Sequence, residues 1–361
     1  MPRASLRPPF PMPEEQRKDM DEIIEWLLRL IDFDTTSEGP DAGRCVRYIT
    51  RILAKRGALV HAYTTEGAFR KGHHLLAEVP GERAETVLLH AHLDTAERGR
   101  EEDWLFPAGR ASRRRGCVCG RGALDCKGPL AVWMKLLSDA AEGKPRPYTL
   151  KLLVTDLEEQ GGADGLGALL AGHPELLSDV KLVIGEGGGF PFPFREDIYY
   201  TFQTGEREPA ADRPARTAAD AADRDRILAM GVEKGYYSED ILAYAARWDR
   251  LAGRRLDVRP LYEDMEAFFT AVPVSAVYAD HGPAFASALR EEIPNARLMP
   301  CVTPGTSDNR WFRNAGVPVV GFFPLDAANS LGGIHGSNEY ISESSLRLAY
   351  RVISGALDRI T

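Results

Sequence analysis

The sequence predicts an α/β protein built on a mixed, largely parallel sheet with helices on both faces. Short apolar runs alternate with amphipathic helical stretches, the pattern of strands joined by crossover helices. Several of those runs end on His, Asp or Glu, which puts acidic residues and histidines where such sheets bind ligands, beyond the carboxyl ends of their strands. The chain has 361 residues, enough for two domains with sizeable cores.

The first helix is expected to begin near Pro13, with Glu14 and Glu15 suited to its first turn. Ile23, Ile24, Leu27, Leu28 and Ile31 trace one apolar face. A second helix is expected over about Gly43–Arg56, ending at Gly57, followed by strands at Ala58–Tyr63, Leu75–Val79 and Thr86–His92. Lys127–Ala141 reads as a helix, Leu150–Thr155 and Val180–Ile184 as buried strands, with a helical stretch near Gly165–Leu177 between them. From about Val272 the same pattern returns, with a helix at Ala284–Glu292, a strand at Val317–Phe323 and a final helix at Ser342–Leu357.

Between these halves the character changes. Residues 207–227 are rich in Ala, Asp and Arg and poor in core formers, and Ser238 can cap a helix carrying Ile241, Leu242, Tyr244, Ala245 and Trp248. Leu261–Phe269 reads as another helical piece. The expected organisation is an extended N-terminal arm (1–14), a catalytic domain (15–205 and 272–361), and an inserted, smaller and mostly helical lid or substrate domain (206–271).

Composition narrows the functional classes. Apolar residues make up 44% and charged residues 27%, ordinary for a globular protein, and the formal net charge of −8 lacks the concentrated positive face that nucleic acid requires. No apolar run reaches the roughly 18–20 residues of a membrane span, and the Pro-rich N-terminus has no apolar signal core. The five cysteines show no framework of paired spacings. A cytoplasmic protein that binds neither membrane nor nucleic acid is expected.

Five segments carry the chemistry: LLHAHLDT at 88–95, GRGALDCKG around Asp125, TDLEEQGG around Glu158 and Glu159, IGEGGG around Glu186, and GGIHGSNE around His335. His92 and Asp94 lie two apart, so on a strand they share a face, where a carboxylate can orient an imidazole. His90 shares that face but lies deeper in the apolar run and reads as a core histidine. Glu158 and Glu159 would point to opposite sides, one towards a metal and one free to handle protons. Each residue also has a plainer reading. His92 can be a satisfied core histidine, Asp125 a helix N-cap, and the Glu pair a solvated turn. Cys117, Cys119 and Cys126 lack the spacing of structural zinc and read as small, mostly buried residues. Together the five segments point to a two-metal hydrolytic site.

In order along the chain, these segments resemble the M20 family of metallopeptidases and amidohydrolases. The likeness rests on HLDT at 92–95, Trp104 with Phe106-Pro107, GRGALDCKG, the Glu158-Glu159 pair, GTSDNRWFR at 305–313 and HGSNEYI at 335–341. It implies a zinc-exopeptidase-like fold with two divalent metal ions, zinc first and manganese or cobalt as alternatives. On this likeness His92, Asp125 and Glu186 hold one ion, and Asp125 bridges to a second held by Glu159 and His335. Asp94 orients His92, Glu158 is the general base, and the Asp125–Cys126 peptide bond is cis. Arg310, Thr306 and Asn309 become candidates for substrate binding, with Arg310 suited to a substrate carboxylate.

The implied reaction is hydrolysis of an N-acyl or peptide-like C–N bond in a small amino-acid-type substrate. Deamination or release of an amino acid from a carrier by the same metals is the alternative, and a non-catalytic binding protein the outsider. Family members carry a lid histidine that assists the oxyanion, often across a dimer. The 206–271 segment contains no histidine, while His281 falls at the start of a catalytic-domain helix. A homodimer therefore remains an expectation drawn from the family alone.

Overall fold

The structure is a computed structural model. It describes residues 14–206 and 276–360, apart from 69, 144, 145, 195, 304, 305, 327, 328 and 332, with residue 229 alone between the two stretches. The expected arm and the expected 206–271 insertion, with its Ser238-capped helix, fall almost wholly outside the described residues.

The elements run α1 (Glu14–Ile31), α2 (Ala42–Lys55), β1 (Leu59–Glu66), β2 (Lys71–Val79), β3 (Arg83–His92), β4 (Ser112–Arg114), β5 (Cys117–Cys119) and α3 (Lys127–Glu142). After these come β6 (Tyr148–Thr155), α4 (Ala168–Gly172), β7 (Val180–Gly185), β8 (Pro191–Phe194) and β9 (Asp197–Glu206). Beyond the undescribed stretch lie α5 (Ala276–Glu292), β10 (Ala296–Thr303), α6 (Asn309–Asn314), β11 (Val319–Gly321), β12 (Tyr340–Ser342) and α7 (Glu343–Leu357).

The main sheet has the order β1-β2-β6-β3-β7-β11-β9-β10, with β8 paired to β9. Its centre, β6-β3-β7-β11, is parallel; β2 joins β6 antiparallel and β9 joins β11 antiparallel. This is the predicted mixed, largely parallel sheet. Its central strands are buried on both faces, and alternation sorts their side chains. Val87, Leu89 and Ala91 of β3, Leu150, Leu152 and Val154 of β6, and Leu182 and Ile184 of β7 join the large core that includes Leu27 of α1, Val46 of α2, Trp133 of α3 and Val352 of α7. Leu88, Leu153 and Val183 turn to a smaller core with Leu166, Leu169, Phe312 and Val319. By the same alternation His90 and His92 fall on the smaller-core face.

Three expected elements differ from what forms. The stretch near 165–177 is not one helix: a π-turn at Ala163–Gly167, the short α4 and a 3-10 turn at Pro174–Leu177 replace it. Pro174 denies the next turn its N–H and clashes with the preceding one. The helix expected from Ala284 starts eight residues earlier and carries Pro283 inside it, and it includes His281. The strand expected at Val317–Phe323 shrinks to β11. Strands β9 and β10 and the small sheet β12-β5-β4 were not anticipated. The 15-residue α7 forms within the expected Ser342–Leu357 stretch, and Ser342 caps it by accepting from the Ser345 N–H.

Among the described residues no helix is long and apolar enough to cross a membrane. All five cysteines are free.

Candidate metal centre

Strand register gathers the site. His92 at the end of β3 pairs with Thr155 at the end of β6, so the turn after Thr155 brings Glu158 and Glu159 beside it. Leu89 of β3 pairs with Ile184 of β7, and the parallel run of β7 places Glu186 at the same edge. Asp125 arrives from the loop before α3, and His335 from the loop before β12.

His92 is fully buried, and its Nδ1 lies 3.0 Å from the Asp94 main-chain carbonyl oxygen and 3.5 Å from Asp94 Oδ1. A carbonyl only accepts, so Nδ1 carries the hydrogen and Nε2 presents its lone pair. The expected orienting role of Asp94 thus falls first to its backbone; its carboxylate accepts from the Glu159 N–H at 3.0 Å. The Nε2 of His92 faces Asp125 Oδ1 at 3.1 Å and Glu186 Oε2 at 3.5 Å. His335, with left-handed backbone (φ 55°), puts Nε2 3.2 Å from Asp125 Oδ2 and 3.0 Å from Glu159 Oε2. The two oxygens of Asp125 therefore face different histidines, and the N-cap position of α3 is held by Cys126, not Asp125. The Asp125–Cys126 peptide bond is cis.

In each gap an imidazole nitrogen opposes two carboxylate oxygens, so a proton or a cation must lie between them. The electrostatics say the same. Burial alone would depress His92, yet Glu186 and the Asp125 and Asp94 carboxylates push its pKa well above the ordinary value. Hydrogen bonds to Asp125 and Glu159 lift His335 to about 10. Asp125 is opposed by burial but held well below the usual carboxylate range by the two histidines. Burial raises Glu159, partly offset by His335. Half-buried Glu158 is pushed well above the ordinary range by burial; Glu186, Asp308 and Asp94 add to this and His92 opposes it. Five carboxylates against two imidazoles leave the pocket with an excess of negative charge that divalent cations would offset. The nitrogen and oxygen donors suit zinc or another first-row divalent ion. Two donor groups, His92–Asp125–Glu159 and His92–Cys126–Glu186, each gather within 4.8 Å.

Buried supports hold these ligands, and sequence reading missed most of them. Glu339 is completely buried; its Oε1 accepts from the Leu124 and Asp125 N–H groups at 2.8 and 3.0 Å, and its Oε2 from the Gly122 N–H and Arg121 Nη1 at 2.9 and 2.8 Å. Arg121 also donates to the Gly336 carbonyl at 2.6 Å, and its guanidinium lies 5.2 Å from the Trp104 ring centre. This pair ties the Asp125 loop to the His335 loop. The sequence signal for Glu339 was its place in the HGSNEYI segment at 335–341, without any indication of what it would hold.

Asp156, also buried, takes a bidentate grip from Arg70 at 2.6 and 2.8 Å and fixes the start of the Glu158 turn. His90 is fully buried against Phe312, with Nε2 2.9 Å from Thr155 Oγ1, as befits a core histidine. Thr155 donates to Asp308 at 2.9 Å.

The three substrate-binding candidates land differently. Asn309 is buried, and its amide donates to the Glu186 carbonyl at 2.8 Å and to Gln203 Oε1 at 2.7 Å. Glycine is required around it, since a Cβ on Gly185 would stand 2.1 Å from Asn309 Oδ1 and one on Gly321 1.9 Å from the Glu186 carbonyl oxygen. Arg310 reaches the Gly161 carbonyl beside the Glu158 turn, with its guanidinium 5.2 Å from the Trp311 ring centre. Thr306 is exposed.

A largely parallel sheet whose carboxyl edge brings two histidines against the carboxylates of Asp125, Glu159 and Glu186 points to a divalent-metal class of α/β protein. The chain belongs to peptidase family M20/M25/M40, whose family model matches residues 88–359. Over 105 residues it is 35% identical to a cysteinylglycine-S-conjugate dipeptidase of Corynebacterium striatum, covering 29% of this chain and 23% of that protein. It is 32% identical over 114 residues to a probable succinyl-diaminopimelate desuccinylase of Staphylococcus epidermidis, covering 31% and 27%. These matches thus span about a quarter of each curated relative. An M20-family metallo-carboxypeptidase from Sulfolobus solfataricus shares the fold, with a TM-score of 0.67 and 14% identity over 94% of this chain and 99% of that one.

Proposed function

We propose that the protein is a metal-dependent hydrolase that cleaves an amide C–N bond, N-acyl or peptide-like, in a small amino-acid-type substrate. The observation that carries this reading is the pair of gaps in which Asp125 presents one oxygen to each histidine, an arrangement that would suit two adjacent cations sharing one carboxylate. Membership of a peptidase family supports the choice of bond.

His92, Asp125 and Glu186 would hold one ion, and Asp125, Glu159 and His335 the second. Two such ions, when bound, make a water nucleophilic near neutral pH and polarise the scissile carbonyl. Glu158 is the base: it is half-buried, beside the ligands, and burial pushes it well above the ordinary carboxylate range. It takes the proton of the attacking water and returns it to the departing nitrogen. Asp94 keeps the His92 hydrogen on Nδ1, and Asn309 holds the Glu186 backbone in place. Arg310, which reaches the Gly161 carbonyl beside the Glu158 turn, would receive a substrate carboxylate.

Metal analysis with a panel of dipeptides and N-acyl amino acids tests the reading. Turnover abolished by a chelator and restored by zinc, manganese or cobalt is expected. The Glu158→Gln variant should keep its metal and lose activity by roughly two to four orders of magnitude. A variant as active as the parent would remove Glu158 from the base role; metal without turnover on any C–N substrate would favour a binding protein.

A further inference from the structure

Cys126 has no part in the hydrolytic scheme, yet it stands inside the centre. Its Sγ, a His92 ring nitrogen and a Glu186 carboxylate oxygen all lie within 4.8 Å of one another. The residue is fully buried and directly follows Asp125. Cys45, Cys117, Cys119 and Cys301 join no such group among the described residues. A divalent ion holds sulfur at about 2.3 Å and nitrogen or oxygen at about 2.0–2.2 Å. Donors sharing one ion therefore stand within about 4 Å of each other, a little closer than the 4.8 Å within which this group gathers.

We propose that Cys126 supplies a thiolate to the ion held by His92, Asp125 and Glu186. That half of the centre is then softer and more zinc-selecting than the half held by Glu159 and His335. The idea rests on the metallohydrolase reading above and adds a ligand and a metal preference to it. On binding, the sulfur–hydrogen bond breaks, the proton leaves to solvent, and the sulfur lone pair forms the bond to the ion; nothing is oxidised or reduced. The consequence is a mixed centre. Thiolate favours zinc at one position, while the position built only from imidazole and carboxylate also accepts manganese or cobalt.

The test is spectroscopic and needs no substrate. Metal-free full-length protein is titrated with cobalt(II). The wild type should develop an intense near-ultraviolet sulfur-to-cobalt charge-transfer band that Cys126→Ser lacks, and the substitution should lower the preference for zinc over manganese on the order of ten-fold. Cobalt binding without that band in the wild type, or the band surviving in Cys126→Ser, overturns the proposal while leaving the hydrolase reading intact. A failure to bind any cobalt sinks both. Should Cys126→Ser not fold, X-ray absorption of the zinc-loaded wild type decides. One sulfur neighbour at about 2.3 Å supports the ligand, and a shell of nitrogen and oxygen alone refutes it.

Discussion

Replacing Glu339 by Gln changes one oxygen to an amide nitrogen and removes a charge, at a place where the structure allows neither. Oε1 accepts two backbone N–H groups, and Oε2 accepts one N–H and the Arg121 guanidinium. Whichever way the amide is turned, its NH2 faces two donors, so two hydrogen bonds are lost and the buried Arg121 loses its carboxylate. Hydrogen bonds to a charged group contribute about 1.5–3 kcal/mol each. The new group no longer bears the desolvation that pushes Glu339 up, which offsets part of the loss. Breaking one partner of a buried ion pair typically costs about 3–5 kcal/mol, and that range is expected here. Urea unfolding with a chelator present, so that bound metal adds nothing, gives the difference from the shift in midpoint and the slope. Because Oε1 also fixes the Asp125 N–H, metal affinity in the folded variant should fall on the order of 10–100-fold. A stability change below about 1 kcal/mol with unchanged metal affinity would refute the clamp, since ordinary surface substitutions stay within that range.

His335→Ala should leave one ion bound and release the other, read as metal equivalents after dialysis; two full equivalents would remove His335 from the ligand set. Arg310→Ala should raise KM for substrates bearing a free carboxylate with metal content unchanged, whereas Asn309→Ala should loosen metal by freeing the Glu186 backbone. The reverse pattern would exchange their roles. His74 is fully buried, accepts the Asp156 N–H on Nδ1, has Nε2 beside Thr65 Oγ1, and is pushed down to about 4 by burial. Above pH 6.5 the imidazole is neutral folded and unfolded, so it contributes no pH dependence. Between pH 6.5 and 4 the unfolded chain takes up a proton that the folded state refuses, and stability falls by about 3 kcal/mol. In His74→Gln that part of the acid loss should vanish; an unchanged slope of unfolding free energy against pH would contradict it.

The residue types that the proposed pair of cation sites would need are written in the linear chain, and His92, Glu158, Glu159 and Glu186 fall at or just beyond the ends of apolar runs. Strand period and the parallel pattern are local properties, so β3, β6 and β7 and the ligands they carry were legible. Elements broken by proline were misjudged in both directions. Pro174 ended a helix that periodicity extended, while Pro283 sits inside one that a local rule would start after it. The local sequence also could not say which side of a ligand is held by what. Asp94 was expected to orient His92 through its carboxylate, and its backbone carbonyl lies nearer.

Tertiary structure alone decided the supports. Glu339 meets Arg121 across 218 positions of chain, Arg70 meets Asp156 across 86, and Asn309 meets the Glu186 carbonyl across 123. None of these pairs has a period or a spacing, because each answers a buried donor or acceptor that exists only once the sheet has closed. The same holds for Cys126, which by spacing was a small core residue and by position stands beside His92 and Glu186. The chain by itself determined which donors this protein owns and the sheet that carries them. Folding determined which atoms face one another across the gaps, since the charges that need a cation become unpaired only when burial removes water from them.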